Sequence, residues 1–353
     1  MYLLHSCSVY FAILAMQCFC YNNFIIKEEA FMKESSAKLL LIFVFLSRAG
    51  AYLFSKLALL ELTPFLTTGY RFTLSCLLLL VIFHKRLFQA VKADKSILPK
   101  SALLGTLLFF VMFFELTGLK TADIHTIALI ESLNTILVPI LLSIRYRKLP
   151  AMKIVLGGAF ILLGEFCLTW KASGFAFTGG EIFGLFSALS YALYIIFTGT
   201  TSRSSDPFAL GVLHMGVIGV LSLIVAGLQS GFPMPVQPAT WVSLAFQILV
   251  CSCFGFTYQP VAQKYVPSEE ASMFGIIVPL GASLLGHLAF GEVFGAKGIL
   301  GTLYIIAGLL TVNKPVRKTA SQKAEACQSK TADRTFIEAA DDRCQMIEPV
   351  VRG

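Results

Sequence analysis

Residues 39–60 read LLLIFVFLSRAGAYLFSKLALL and contain only two charged side chains, those of Arg48 and Lys56. An α-helix of about 20 mainly apolar residues crosses the hydrocarbon core of a bilayer, which is roughly 30 Å thick. Further runs of this kind predict spans at 65–83, 101–119, 122–145, 153–170, 180–200, 208–228, 241–262, 268–290 and 296–313. They lack the two-residue alternation of barrel strands, so the sequence predicts an all-α, polytopic integral membrane protein with ten transmembrane helices.

The composition agrees with a membrane environment. Of the 353 residues, 56% are hydrophobic and 14% are charged, and the mean hydropathy is +0.77. A single soluble core does not bury that much apolar surface. The net charge of +8 is distributed over loops, and the nine cysteines are odd in number and lie mostly in apolar runs or the tail. The sequence therefore predicts neither a nucleic-acid partner nor a metal site or disulfide framework.

Basic residues fall on alternate loops, which predicts the topology. They cluster before the first span, in the loop 84–100, and around the end of the fourth span. The opposite loops contain only Lys120, Lys171 and Lys297. The positive-inside rule therefore predicts that both ends of the ten-helix unit are cytoplasmic, in a cell membrane that is the inner one if the organism is a Gram-negative bacterium.

Two segments lie outside the ten spans. Residues 1–37 form an N-terminal extension in which no Lys or Arg precedes Lys27, so the basic region of a secretory signal is missing. A translation start at Met32 and an additional, eleventh helix are both open interpretations of this extension. Residues 314–353 are rich in Lys, Ser, Ala, Gln, Asp and Glu, which predicts a disordered cytoplasmic tail.

The ten spans contain an internal repeat. Aligning 122–147 with 267–292 pairs Asn134 with Pro279, and the helices that follow pair Gly157 with Gly301 and Gly164 with Gly308. Five helices per copy place the second copy in the membrane in the opposite orientation. The sequence thus predicts two inverted five-helix repeats, 38–170 and 178–313, an architecture typical of secondary transporters with a solute site near the midplane.

The chain resembles a known family, the EamA-type transporters of the drug/metabolite transporter superfamily. The resemblance rests on KLALLELTP at 56–64 followed by Arg71, on Pro279, on Gly291-Glu292, and on Gly301 and Gly308. It implies two five-helix repeats around a cavity lined by the first, third, fourth, sixth, eighth and ninth helices. It also implies that Lys56 and Arg71 line the outer half of the pathway.

The chain departs from the family pattern at three places. Arg48-Ala49 stands where the family commonly has Trp-Gly, Asn134 replaces the proline of the first repeat, and Tyr146-Arg147 replaces its Gly-Glu. The substrate of a relative therefore does not transfer to this chain.

Arg48 and Glu131 are the most informative charged residues. Arg48 lies about 14 Å into the first span at 1.5 Å per residue, and Glu131 is comparably deep in the fourth. Charges at this depth face the interior of the bundle. Two interpretations are open: an ion pair that locks two helices together, or a pair that binds a polar solute or a coupling ion.

The remaining candidate pathway residues are Tyr52, Lys56, Arg71, Asn134 and Pro279. Lys56 lies close enough to the outer surface to extend its ammonium group into water. Pro139 and Pro279 predict bends, because a proline frees a backbone carbonyl within the helix. Such bends occur where helices line a cavity, although static packing explains them equally well.

The predicted function is secondary transport of small polar metabolites by alternating access, in particular of amino acids or their derivatives. An arginine holds a carboxylate through a two-point fork and a glutamate attracts an ammonium group, which suits a zwitterion. No enzyme motif and no nucleotide-binding loop is present, so no cofactor is predicted and the energy comes from proton coupling or from exchange. A scaffold or receptor, and a carrier of a nucleotide-like metabolite, are the alternatives. The sequence does not indicate an oligomeric state.

Overall fold

A computed structural model describes residues 32–118, 121, 124–169, 179–229, 231–281 and 296–313. Both terminal segments and Gly291-Glu292 therefore lie outside the described residues, as do the side chains of Tyr52 and Lys56. The helices of the first half are α1 (Glu34–Ala58), α2 (Pro64–Ala93), α3 (Ile97–Gly118), α4 (Ile124–Ser132), α5 (Asn134–Tyr146) and α6 (Met152–Thr169). Those of the second half are α7 (Gly180–Ser204), α8 (Pro207–Gln229), α9 (Pro238–Phe246), a π-helix (Gln247–Phe256), α10 (Thr257–Gln263), α11 (Ser268–Phe274) and α12 (Ala296–Asn313).

The described residues form an all-α, multi-pass membrane protein, as the sequence predicted. Each of the ten predicted spans contains helix, and no strand occurs among the described residues. Within the described ranges, six helical stretches are long and apolar enough to cross a membrane by themselves: Pro64–Ala93, Ile97–Gly118, Leu129–Tyr146, Gly180–Ser204, Pro207–Gln229 and Pro238–Gln263.

Helix α2 is longer than predicted. It begins where the Thr63 hydroxyl accepts a hydrogen bond from the Leu66 amide and Pro64 occupies the first turn, both usual features of a helix start. Phe83 has non-helical backbone angles, at the residue where the predicted span ended. The helix then continues to Ala93 into a more polar segment, so part of the predicted loop 84–100 is helical.

In the part of the chain that the structure describes, three spans are not continuous α-helices. The fourth is interrupted at Leu133, between α4 and α5, and the ninth at residues 275–276, after α11. The eighth passes through the π-helix between α9 and α10. Pro139, which predicted a bend in this span, lies inside α5, six residues after the interruption at Leu133.

Helices α6 and α12 pack closely through their glycines. A Cβ atom on Gly164 would lie 2.6 Å from the carbonyl oxygen of Gly301, and one on Gly308 would lie 2.8 Å from the carbonyl oxygen of Gly157. The earlier glycine of each helix meets the later one of the other, so the two helices are antiparallel. The alignment of the repeats pairs Gly157 with Gly301 and Gly164 with Gly308. It therefore converts the contact between Gly164 and Gly301 into the contact between Gly308 and Gly157. This is the symmetry expected of an inverted repeat.

An ionic cluster joins four helices at one end of the bundle. The Glu270 carboxylate of α11 lies 2.7 Å from Lys38 Nζ of α1 and 2.8 Å from Lys153 Nζ of α6. Lys153 also donates a hydrogen bond of 3.1 Å to the carbonyl of Val312 in α12. The Glu270 side chain is only 8% exposed, so its charge depends on these two cations.

The glycine contacts predict a position-specific effect on stability. Gly164→Ala places a methyl group against backbone atoms that have no room to move, and we expect a loss of about 1–3 kcal/mol in the free energy of unfolding. Gly158→Ala in the same helix is the matched control, because its added Cβ would meet nothing closer than 3.5 Å. Thermal unfolding of the purified protein in detergent measures both. Equal losses in the two variants would contradict this packing.

Candidate functional site

A cavity of about 100 Å³ lies inside the bundle. Among the described residues, those of five spans line it: the first, third, fourth, sixth and ninth. The residues that line it are Arg48, Val111, Met112, Glu115, Glu131, Ser132, Asn134, Thr135, Tyr191, Gly275, Ile276, Val278 and Pro279. Both interrupted helices therefore meet the cavity at the point of interruption. Irregular backbone at membrane depth occurs where it is buried in protein or lines a cavity.

Arg48 is held by the second half of the chain. Its Nη1 donates hydrogen bonds to Tyr191 Oη at 3.2 Å and to Gln259 Oε1 at 2.9 Å. The guanidinium carbon lies 4.1 Å from the centre of the Phe256 ring. Gly255 leaves room for this side chain, because a Cβ there would lie 2.9 Å from Arg48 Cγ. These contacts stabilise the cation without neutralising its charge.

Arg71 is held by the π-helix and shares the ring of Phe256. Its Nε donates to Ser252 Oγ at 3.0 Å and its Nη1 to Gln247 Oε1 at 3.3 Å. The Phe256 ring centre is 5.6 Å from the Arg71 guanidinium carbon. A π-helix bonds residue i to residue i+5, so Gln247 and Ser252 lie on nearly one face, whereas an α-helix would separate them.

Glu131 is held within the cavity by neutral groups. Its carboxylate accepts a hydrogen bond from the Ser187 hydroxyl of α7. At the interruption that follows, Asn134 Nδ2 donates to the Glu131 carbonyl at 2.7 Å. In the described part of the chain, the Glu131 carboxylate and the Arg48 guanidinium form no ion pair. The two charges share a cavity but do not pair with each other.

Glu115 is a cavity residue that sequence reasoning missed. It is not among the candidate pathway residues that the sequence indicated, whereas the structure places it in the cavity wall. It shares that wall with Arg48 and Glu131. The available signal was its position one helical turn after the buried Val111, since residues four apart share a face.

The predicted pathway residues fall into three groups. Arg48, Glu131, Asn134 and Pro279 line the cavity. Arg71 is not among the described residues that line it and instead lies against the π-helix. The side chains of Tyr52 and Lys56 are outside the described part of the structure. The resemblance implied that the eighth span also lines the cavity. Its described residues are instead absent from the lining and contact Arg48 and Arg71.

Comparison with known proteins identifies the family. The model of the EamA-like transporter family matches residues 35–170 and 178–314. An "uncharacterized transporter" of Archaeoglobus fulgidus is 25% identical to this chain, covering 78% of the chain and 96% of the relative. A second one from the same organism is 24% identical over 60% of the chain and 76% of its own length.

A solved crystal structure shares the fold of the chain. It matches with a TM-score of 0.69 and 18% identity, covering 80% of this chain and 97% of the solved one. At that identity the likeness describes the fold alone.

The Arg48 contacts generate a matched pair of variants. Gln259 and Gln263 are fully buried and one turn apart in α10. Gln259 accepts from Arg48, whereas neither polar side-chain atom of Gln263 has a hydrogen-bond partner among the described residues. We expect Gln259→Leu to lower the free energy of unfolding by about 1–3 kcal/mol, because it leaves an arginine N–H unpaired.

Gln263→Leu should be neutral or stabilising, because it replaces unpaired amide atoms with apolar ones. Thermal unfolding of both purified variants measures the two changes in stability. A larger loss for Gln263→Leu than for Gln259→Leu would refute the assigned hydrogen bond.

Proposed function

Because the chain belongs to the EamA-like transporter family, we propose that it is a secondary carrier of small zwitterionic metabolites, amino acids or amino-acid derivatives, that works by alternating access. The observation that carries this proposal is the arrangement of Arg48 and Glu131, which line one cavity without forming an ion pair. A buried ion pair that served only as a helix lock would bring its two charges into contact. Separated charges leave each one available to a solute.

The polar groups of the cavity suit a zwitterion. Within the described residues, Arg48 makes its side-chain hydrogen bonds through Nη1, which leaves Nη2 and Nε as donors for a carboxylate. Glu131 supplies negative charge for an ammonium group. The volume of about 100 Å³ is below the roughly 300–1,000 Å³ of pockets for drug-sized ligands. It therefore favours a small amino acid over a nucleotide-like solute.

The broken helices support alternating access. The interruptions at Leu133 and at 275–276 fall close to equivalent positions of the two repeats and both border the cavity. Secondary transporters place their solute at such discontinuous helices and rock one repeat against the other around it. The chain contains no nucleotide-binding motif, so we assign the energy to an ion or solute gradient and propose no enzymatic step. If protons drive the cycle, Glu131 is the proposed carrier.

Substitutions at Arg48 test the solute assignment. Arg48→Lys keeps the charge but loses the planar fork, so we expect amino-acid binding to weaken by about 1–3 kcal/mol. Uptake of radiolabelled amino acids into proteoliposomes, with ligand-induced thermal stabilisation as a second readout, measures the change. Arg86→Lys is the matched control, because Arg86 stacks on Phe208 at 4.4 Å but is not among the described cavity residues. Wild-type transport by the double variant Arg48→Met, Glu131→Gln would exclude this assignment.

The proposed orientation places the loop 84–100 and both ends of the ten-helix unit in the cytoplasm of a cell. A cysteine in place of the exposed Lys95, on a background without native cysteines, should resist an impermeant thiol reagent applied to intact cells and react after lysis. A cysteine in place of Val236, which is 86% exposed in the loop on the opposite side, should react in intact cells. The reverse pattern would invert the topology.

A further inference from the structure

We propose that Glu115, Glu131 and Asn134 form a binding subsite for a monovalent cation in the cavity that Arg48 also lines, and that Glu115 is therefore a further solute-binding residue. The ligand chemistry is a single positive charge bound by oxygen atoms, either the ammonium group of the solute or a free cation such as Na⁺. The inference rests on the proposed function for the identity of the solute, but not for the existence of the subsite.

Two carboxylates from different helices provide the negative charge. Glu115 belongs to α3 and Glu131 to α4, and both line the cavity. Because they share one small cavity, negative charges on both would repel each other. Such repulsion is stronger in the low-dielectric interior of a membrane protein than in water. A cation bound by both carboxylates removes this repulsion.

Asn134 supplies an independent sign of a missing ligand. It lines the same cavity and its side chain is 7% exposed, yet its Oδ1 has no hydrogen-bond partner among the described residues. The Glu131 carbonyl can only accept a hydrogen bond, so the Asn134 atom that contacts it must be the donor, Nδ2. This contact fixes the orientation of the amide and therefore the position of Oδ1. Oδ1 is therefore a buried acceptor without a donor, and buried polar groups are normally paired.

The donors needed are those of an ammonium group. A primary ammonium has three N–H donors and no acceptor, which matches one oxygen from each of the three side chains. Hard metal cations also take oxygen ligands. Arg48 does not donate to these oxygen atoms. Among the described residues, its side-chain hydrogen bonds go to Tyr191 and Gln259.

The charges around the cavity also balance. Arg48 lines the cavity together with Glu115 and Glu131, and Arg71 shares the Phe256 ring with Arg48, so the same region holds two guanidinium groups and two carboxylates. A zwitterion adds no net charge to this set when it enters. This matters because an unbalanced charge within the membrane is costly.

Binding to the purified full-length protein in nanodiscs tests the subsite. The probes are the proteinogenic amino acids, then the amide and the N-acetyl derivative of the tightest binder, with methylammonium and tetramethylammonium as minimal cations. We expect Glu115→Gln and Asn134→Leu to weaken binding of the amino acid and its amide by about tenfold or more, but that of the N-acetyl derivative by less than about twofold. Glu165→Gln is the control, since Glu165 is a 1% exposed carboxylate outside the described cavity lining.

A titration with NaCl against choline chloride, without amino acid, identifies the source of the cation. Stabilisation by Na⁺ that both Glu115→Gln and Glu131→Gln abolish would assign the subsite to a free cation. Binding of methylammonium or Na⁺ without binding of any amino acid would leave the subsite standing and refute the proposed solute. Equal weakening of the amino acid and its N-acetyl derivative by Glu115→Gln and Asn134→Leu, or no response of the wild type to any cation, would overturn the subsite.

Discussion

The central constraint on this structure is the need to hold Arg48, near the middle of helix α1, inside the bundle of a membrane protein. A guanidinium at the depth of Arg48 is costly unless its donors are paired and its charge is stabilised. The protein meets this need mainly with neutral groups, the Tyr191 hydroxyl, the Gln259 amide oxygen and the face of Phe256. Because none of these carries a negative charge, Arg48 stays available to an anionic group in the cavity.

Much of the irregular backbone is arranged around this constraint. The π-helix carries Gln247, Ser252 and Phe256, and all three contact Arg71. A regular α-helix through the same residues would turn Gln247 away from Ser252. The π-helix is therefore an element that supports two arginines through a single aromatic ring.

The fold was predictable from the sequence because it depends on local patterns. Apolar runs of membrane-spanning length, with Gly157, Gly164, Gly301 and Gly308 on helical faces, are visible in a single chain. Depth in the membrane is also local, since it follows from counting residues, and it singled out Arg48 and Glu131.

The features of the site that the sequence did not predict depend on contacts between residues far apart in the chain. Arg71 and its partner Ser252 lie 181 residues apart, and a residue spacing of five matches no ordinary helical face, so nothing marked the π-helix. The sequence predicted bends at Pro139 and Pro279, because proline is the familiar cause of a kink, but it did not predict the interruption at Leu133. Here Asn134 hydrogen-bonds to the backbone of the preceding turn instead, which an asparagine does as readily as it caps a helix.

The two halves of the chain contribute unequally to the site, and this asymmetry gives the proposed cycle a physical basis. Arg48, Glu115, Glu131 and Asn134 all belong to the first half, whereas Tyr191, Phe256 and Gln259 belong to the second. Rocking the halves against each other would keep the charged groups together and change the neutral contacts of Arg48. Glu270 of the second half, in contrast, binds Lys38 and Lys153 of the first at one end of the bundle. If the proposed cycle opens that end, it separates this carboxylate from its cations, and solute binding at the cavity would have to offset the loss of a nearly buried ion cluster.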